Sequence, residues 1–237
     1  MIPLRDSTRS QTFPVVVVAL IAINVVCFIY ELLLGKHLAG FLDTHGFVPF
    51  RFWHAESFRT DVAVPAVASM FLHAGWLHLI GNMWFLWIFG DNIEDRLGHP
   101  AFLLFYLIAG LVAMLTHATL NADVRVPSIG ASGAIAGVLG AYIVLYPRGR
   151  VLTLLFLFYF IQVVELPAFL FLGLWFGAQL FSGVASLPFA GEAAGGVAWW
   201  AHIGGFAFGA VCGLVLRKIP PRQRRRPRRT PIVVELD

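Results

Sequence analysis

Ser132 stands in RVPSIGASGAIAGVLGAY, Arg125 to Tyr142, with Gly130 before it and Gly133 after it. No bulky neighbour crowds its hydroxyl, and an apolar run of small residues begins there. The segment HAGWLHLIGNMW carries His78 and Asn82 four residues apart, which puts both on one face of a helix. AHIGGFAFG carries His202. A hydroxyl, an imidazole and an amide are the parts of acyl transfer, in which a base activates the nucleophile. Fixed donors then hold the oxyanion that forms. A serine opening a helix also meets free N–H groups and the end of the dipole that favours negative charge. Each part has an ordinary reading as well. Glycine and alanine make helix-packing surfaces, and an isolated buried histidine is often only a satisfied hydrogen-bonding group. Chemistry needs the three segments to converge.

A metal centre would need His73, His78, His117 and His202 to converge. No HExxH is present, and His117 is expected near the opposite depth from the others. Neither metal nor cofactor is expected.

The elements that must position these groups follow from composition. Of 237 residues 59% are hydrophobic and 13% charged, far from the ~25% charge of soluble domains. The apolar residues form long runs, without the short alternating segments of a barrel. The expectation is an all-α integral membrane protein spanning Pro14–Leu34, Leu77–Ile93, Ala101–His117, Ala131–Tyr146, Ala168–Gly183 and Ala198–Leu216. The first run is too long for the apolar core of a cleavable signal and lacks an A-x-A site. A seventh apolar run, Val151 to Val164, is closed by Glu165 and Pro167 and reads as an interfacial or re-entrant piece. Cys27 and Cys212 lie inside apolar runs and give no disulfide framework.

Charge fixes the parity of the spans. Six spans put Arg5, Arg9, Arg96, Arg148, Arg150 and eight residues of the tail RKIPPRQRRRPRR on one side, thirteen against four (Lys36, Arg51, Arg59, Arg125) on the other. That is the positive-inside pattern, with both termini cytoplasmic. The tail reads as a disordered topology determinant that touches anionic lipid, not as a nucleic-acid binder. The expected organisation is a cytoplasmic segment 1–13, a bundle 14–217 and a disordered basic tail 218–237. Between the first two spans, residues 36–76 form a long loop rich in Phe and Trp, suited to the outer interface of the bilayer.

With six spans, His78, Asn82, Ser132 and His202 share one depth near the outer face. Ala201, Gly205, Gly209 and Gly213 recur every four residues, and Gly133, Gly137 and Gly140 offer a matching stripe. Small-xxx-small faces let backbones approach closely. If the two stripes meet, Ser132 and His202 come within hydrogen-bond reach.

With HLIGN, GASG, AHIGGFAFG, the long aromatic loop and Glu94-Asp-Arg-Leu-Gly98 in place, the chain resembles the rhomboid family of intramembrane serine proteases from about residue 14 to 217. The resemblance implies that Ser132 is the nucleophile and His202 the general base, a dyad without a third carboxylate. It implies an oxyanion hole of the Ser132 backbone N–H, His78 and Asn82, and a structural role for Glu94 and Arg96 at the cytoplasmic helix ends. The substrates would be transmembrane segments of other proteins, cut near the outer face, with the fifth span as the mobile wall for lateral entry. Some members carry an aromatic one turn after the serine that stacks on the histidine. Here that position is Ala136, and the only acid near the sixth span is Glu192, so what orients His202 stays open. The alternative is a noncatalytic relative that binds membrane helices, which would not need Ser132. A bacterial inner membrane is expected from the compact length and the lack of an organelle presequence.

Overall fold

The computed structural model describes residues 1–157, 160–186 and 198–220. The chain opens with a strand, β1 (Ile2–Asp6), and enters its first apolar run as α1 (Val15–Leu33). The long loop that follows is helical in short pieces: α2 (Leu38–His45), α3 (Pro49–Trp53), a π turn over Phe58–Ala63, and α4 (Val64–Ala68). Pro49 and Pro65 each sit at the start of a piece, where a missing N–H is harmless. Then come α5 (Trp76–Leu97), α6 (His99–Leu120), α7 (Ser132–Leu145), α8 (Ala168–Ser186) and α9 (Trp199–Lys218).

Six of these helices coincide with the six apolar runs. Among the described residues α1, α6, α8 and α9 are long and apolar enough to cross a bilayer. A fifth is added if α5 is taken together with Phe58–Phe71, from which it bends by 82°. The protein is a multi-pass membrane protein. At 14 residues α7 rises only ~21 Å, short of the ~30 Å hydrocarbon core. It is also the most enclosed helix, every residue from Gly133 to Tyr142 being buried.

Two expectations need correction. The all-α expectation fails over the run 151–164, whose described residues are strand. They belong to β2 (Arg150–Leu157) and β3 (Phe160–Pro167), an antiparallel hairpin in register from Arg150–Pro167 to Leu157–Phe160. The segment 1–13 likewise contributes β1, which pairs antiparallel with β2 and completes a three-stranded sheet, β1-β2-β3. The fold is therefore mostly rather than wholly helical. β-Branched and aromatic residues favour strands, but a continuous apolar run cannot be told from a buried helix by period alone. Along β2 the period is visible only in burial: Val151 and Thr153 are buried, while Phe156 is exposed. The basic tail beyond residue 220, and Glu192, lie outside the described residues.

Polar ties lock one end of the bundle. The first N–H groups of α1 have no side-chain cap of their own. Val16 and Val17 donate instead to the two carboxylate oxygens of Glu94, each at 2.8 Å, and the negative charge suits the helix N-terminus. His99 Nδ1 joins the same carboxylate at 2.5 Å. Arg96 donates to the carbonyls of Leu216, at 2.6 Å, and Ile219, closing the C-terminus of α9. Gly98, with φ of 84°, supplies the left-handed turn from α5 into α6. Asp6 carries β1 into this end, accepting from Tyr142 Oη at 2.6 Å and Asn92 Nδ2 at 3.1 Å. Burial pushes the Asp6 carboxyl above its ordinary range, the Tyr142 hydroxyl and the Thr8 N–H pulling the other way.

Candidate active site

At the other end the backbone leads Ser132 into position before any side chain does. Phe47 and Ser128 exchange backbone hydrogen bonds of 3.1 and 2.8 Å, and the Gly130 N–H donates to the Ser69 carbonyl at 2.8 Å. The chain therefore reaches α7 along a fixed path. Gly130 has φ of 125°, and a Cβ there would lie 2.7 Å from the His78 ring. Only glycine lets that ring close on the backbone. Asn82 Nδ2 would be 3.6 Å from the same point. His78 and Asn82 thus lie against Gly130, two residues before Ser132, which is the first residue of α7.

Packing delivers His202. The two small-residue stripes meet: a methyl on Gly205 would collide with the Gly133 carbonyl, and one on Gly209 with the Gly137 carbonyl. Gly140 is closed in the same way by the Phe206 carbonyl. Backbone-to-backbone contact on this scale fixes the register of α7 against α9. In that register His202 Nε2 lies 2.7 Å from Ser132 Oγ, and the imidazole is buried.

Three groups that sequence reasoning did not assign complete the arrangement. Gln179 on α8 places Oε1 at 2.7 Å from His202 Nδ1. An amide oxygen only accepts, so Nδ1 carries the hydrogen and Nε2 is free to accept from the Ser132 hydroxyl. Trp175, one turn earlier on α8, and Trp199 on α9 lie with ring centroids 5.9 and 6.3 Å from that of His202. The contact that Ala136 leaves open is supplied by these residues.

The second group is His73, whose Nε2 accepts from Asn82 Nδ2 at 3.0 Å. This aims the Asn82 amide and leaves its second N–H for another acceptor. The third is Glu31, buried in α1, whose carboxylate accepts the backbone N–H of His73 at 3.2 Å. A glutamate inside an apolar helix is expensive and marks a specific contact, which is the signal that could have found it.

His117 needs correction. It lies at the same end of the bundle as Ser132, not at the opposite depth, because α6 ends where the chain turns back toward α7 and His117 is near its last turn. Its Nε2 is 3.1 Å from Ser128 Oγ and its Nδ1 is 3.3 Å from Asn121 Nδ2. The arrangement as a whole can move a proton from a hydroxyl to an imidazole and present N–H donors near that hydroxyl.

The Rhomboid domain family model matches residues 61–219. The chain is 34% identical over 173 residues to Rhomboid protein 1, mitochondrial, of Saccharomyces cerevisiae, which covers 69% of this chain and 44% of that protein. It is 33% identical over 153 residues to Presenilin-associated rhomboid-like protein, mitochondrial, of Homo sapiens, covering 61% and 36%. With Rhomboid-like protein 11, chloroplastic, of Arabidopsis thaliana the identity is 30% over 159 residues, covering 65% and 52%. The chain spans about half the length of these relatives or less. Their names place them in organelles, which runs against the expectation of a bacterial inner membrane.

Proposed function

The chain belongs to the rhomboid family, and from that premise we propose that it is an intramembrane serine endopeptidase working through Ser132 and His202. The observation that carries this reading is the 2.7 Å hydrogen bond between Ser132 Oγ and His202 Nε2, made between two helices whose register is fixed by glycines. His202 takes the hydroxyl proton as Ser132 attacks a peptide carbonyl, forming an acyl-enzyme through a tetrahedral intermediate. The Ser132 N–H, His78 and Asn82 are the donors for its oxyanion. His202 then returns the proton to the leaving amine, and a water repeats the cycle to release the acyl group.

The substrate class is a transmembrane segment of another protein. A helical carbonyl is shielded by its own turn, so small or helix-breaking residues near the outer end of the substrate span would favour cleavage. The short α7 supports a serine recessed from the outer surface, reached by water from that side. We read six spans, with both termini on the basic, cytoplasmic side and the tail against anionic lipid. The exposed Phe156, Ile161 and Val163 of the hairpin suit an interfacial position beside the bilayer. No metal, cofactor or nucleic acid enters the scheme.

Incubating purified protein with a test transmembrane substrate, beside Ser132→Ala and His202→Ala, decides the matter. Cleavage near the substrate's outer boundary should vanish in both variants while their thermal melts stay unchanged. Equal cleavage by wild type and Ser132→Ala would remove the reading. Absence of cleavage by wild type across several substrates would favour a noncatalytic binder of membrane helices. His78→Ala and Asn82→Ala should each raise the barrier by an amount on the order of 1–4 kcal/mol.

A further inference from the structure

Of the groups around His202, Ser132 comes from a helix locked to α9 by backbone contact and Trp199 from α9 itself, but Gln179, like Trp175, does not. It rides on α8, which packs chiefly on α9, touches α7 lightly and leaves Phe169, Leu174 and Phe181 exposed. Gly173 and Gly177 of α8 face open space. Among the described residues of α8 the buried side chains are Ala168, Phe171, Leu172 and Gln179, with Gly183. Gln179 is the polar one of that set, and a polar group in a span is functional by default. It meets the nitrogen of His202 that faces away from Ser132.

We propose that Gln179 is a positioning residue that sets the tautomer of His202, so that the base is aligned only while α8 lies closed against α9. The proposal rests on the peptidase reading. A general base toward Ser132 must have Nε2 unprotonated, and a neutral imidazole chooses between its nitrogens by the bond the other one makes. The acceptor at Oε1 makes that choice here. Trp175 and Gln179, four apart, share the face of α8 that covers the ring, and Phe176 stacks on Phe206 of α9 with centroids 4.4 Å apart. When α8 moves aside to admit a substrate helix, the acceptor leaves with it. When α8 returns, the base is restored behind the bound substrate. Gln179 thereby occupies the place a carboxylate holds in a triad, but it is neutral and is carried on α8, whose packing is confined chiefly to α9.

The test measures the rate at which a fluorophosphonate probe labels the protein, in wild type, Ser132→Ala, Gln179→Leu and Gln179→Glu. Wild-type labelling that is lost in Ser132→Ala establishes the premise. Gln179→Leu should label at least ~30-fold more slowly. Gln179→Glu keeps the acceptor and should recover to within a few-fold of wild type. A rate for Gln179→Leu within about threefold of wild type overturns the proposal, as does equal loss in the leucine and glutamate variants. Nitrogen-15 shifts of His202 in the unmutated protein decide the tautomer independently of folding or activity: protonated Nδ1 supports the proposal and protonated Nε2 overturns it. Those shifts still decide the role of Gln179 if wild type goes unlabelled, a result that removes the peptidase reading instead. Phe176→Ala, which loosens α8, should slow labelling in the wild-type background and add nothing to Gln179→Leu. Multiplying effects would sever the link to α8.

Discussion

α9 is held differently on its two flanks, and His202 is fed from both. Toward α7 it has Gly205 and Gly209 pressed on the carbonyls of Gly133 and Gly137, a seam with no room for one methyl. Toward α8 it has a ring stack, Phe176 on Phe206, and one buried amide, Gln179. The seam supplies the serine and the softer flank supplies the acceptor behind the imidazole. A shift of the seam moves the reacting atoms themselves, whereas a shift of α8 moves only what orients them. The 2.7 Å contact between Ser132 and His202 thus lies on the rigid side, and the groups that orient the ring lie on the softer one.

The largest effect is expected from the seam. Gly205→Ala sets a methyl against backbone, which cannot turn away as a side chain can. Overpacking of this kind costs about 1–3 kcal/mol, and a displacement of ~1 Å at the dyad lowers the rate about 10²-fold. Labelling and substrate cleavage should fall together, with a lower thermal midpoint. A variant with full activity would show that the seam has slack, and the contrast between flanks would collapse. A smaller loss is expected on the other side from Trp175→Ala, which removes a ring lying 5.9 Å from His202. Aromatic contacts of this sort are worth about 0.5–1.5 kcal/mol beyond burial. Labelling should slow by roughly 2- to 12-fold, the kinetic equivalent of that range. No change would leave Gln179 as the sole contribution of α8 to the ring.

The two flanks were also unequally legible in the sequence. Glycine every four residues in α9 and a glycine-flanked serine opening α7 are periodic signals, and period converts directly into a helix face. Gln179 has no such signal. One glutamine among FLGLWFGAQLFSG could face lipid, a neighbour or a cavity, and only the rotation of α8 decides. The same limit hid Glu31, whose partner is a backbone N–H forty-two positions away, and His73, whose role depends on the bend before α5. His117 was misplaced for another reason: alternation of span direction puts the last turn of α6 at the end where α7 begins, beside Ser128. The hairpin was illegible because its strands are apolar along their whole length, and β1 because five residues carry too little pattern to reveal a partner some 150 positions on.

The smallest effect is expected where the same substitution meets no neighbour. Gly177 lies on α8 two residues before Gln179, and a Cβ there finds nothing within 4 Å. Gly177→Ala should therefore leave fluorophosphonate labelling within about twofold of wild type. The thermal midpoint should hold or rise slightly, since alanine is favoured over glycine in a helix by up to ~1 kcal/mol. Transmembrane substrate cleavage supplies the sharper reading. If α8 swings as a rigid body, stiffening it at Gly177 changes neither rate, and the soft flank is soft because of its contacts with α9. If α8 bends at its glycines instead, cleavage of the helix substrate slows while labelling by the small probe does not. The softness would then belong to the helix itself, and Gln179, on the far side of that bend from Trp175, would be withdrawn without the ring that accompanies it.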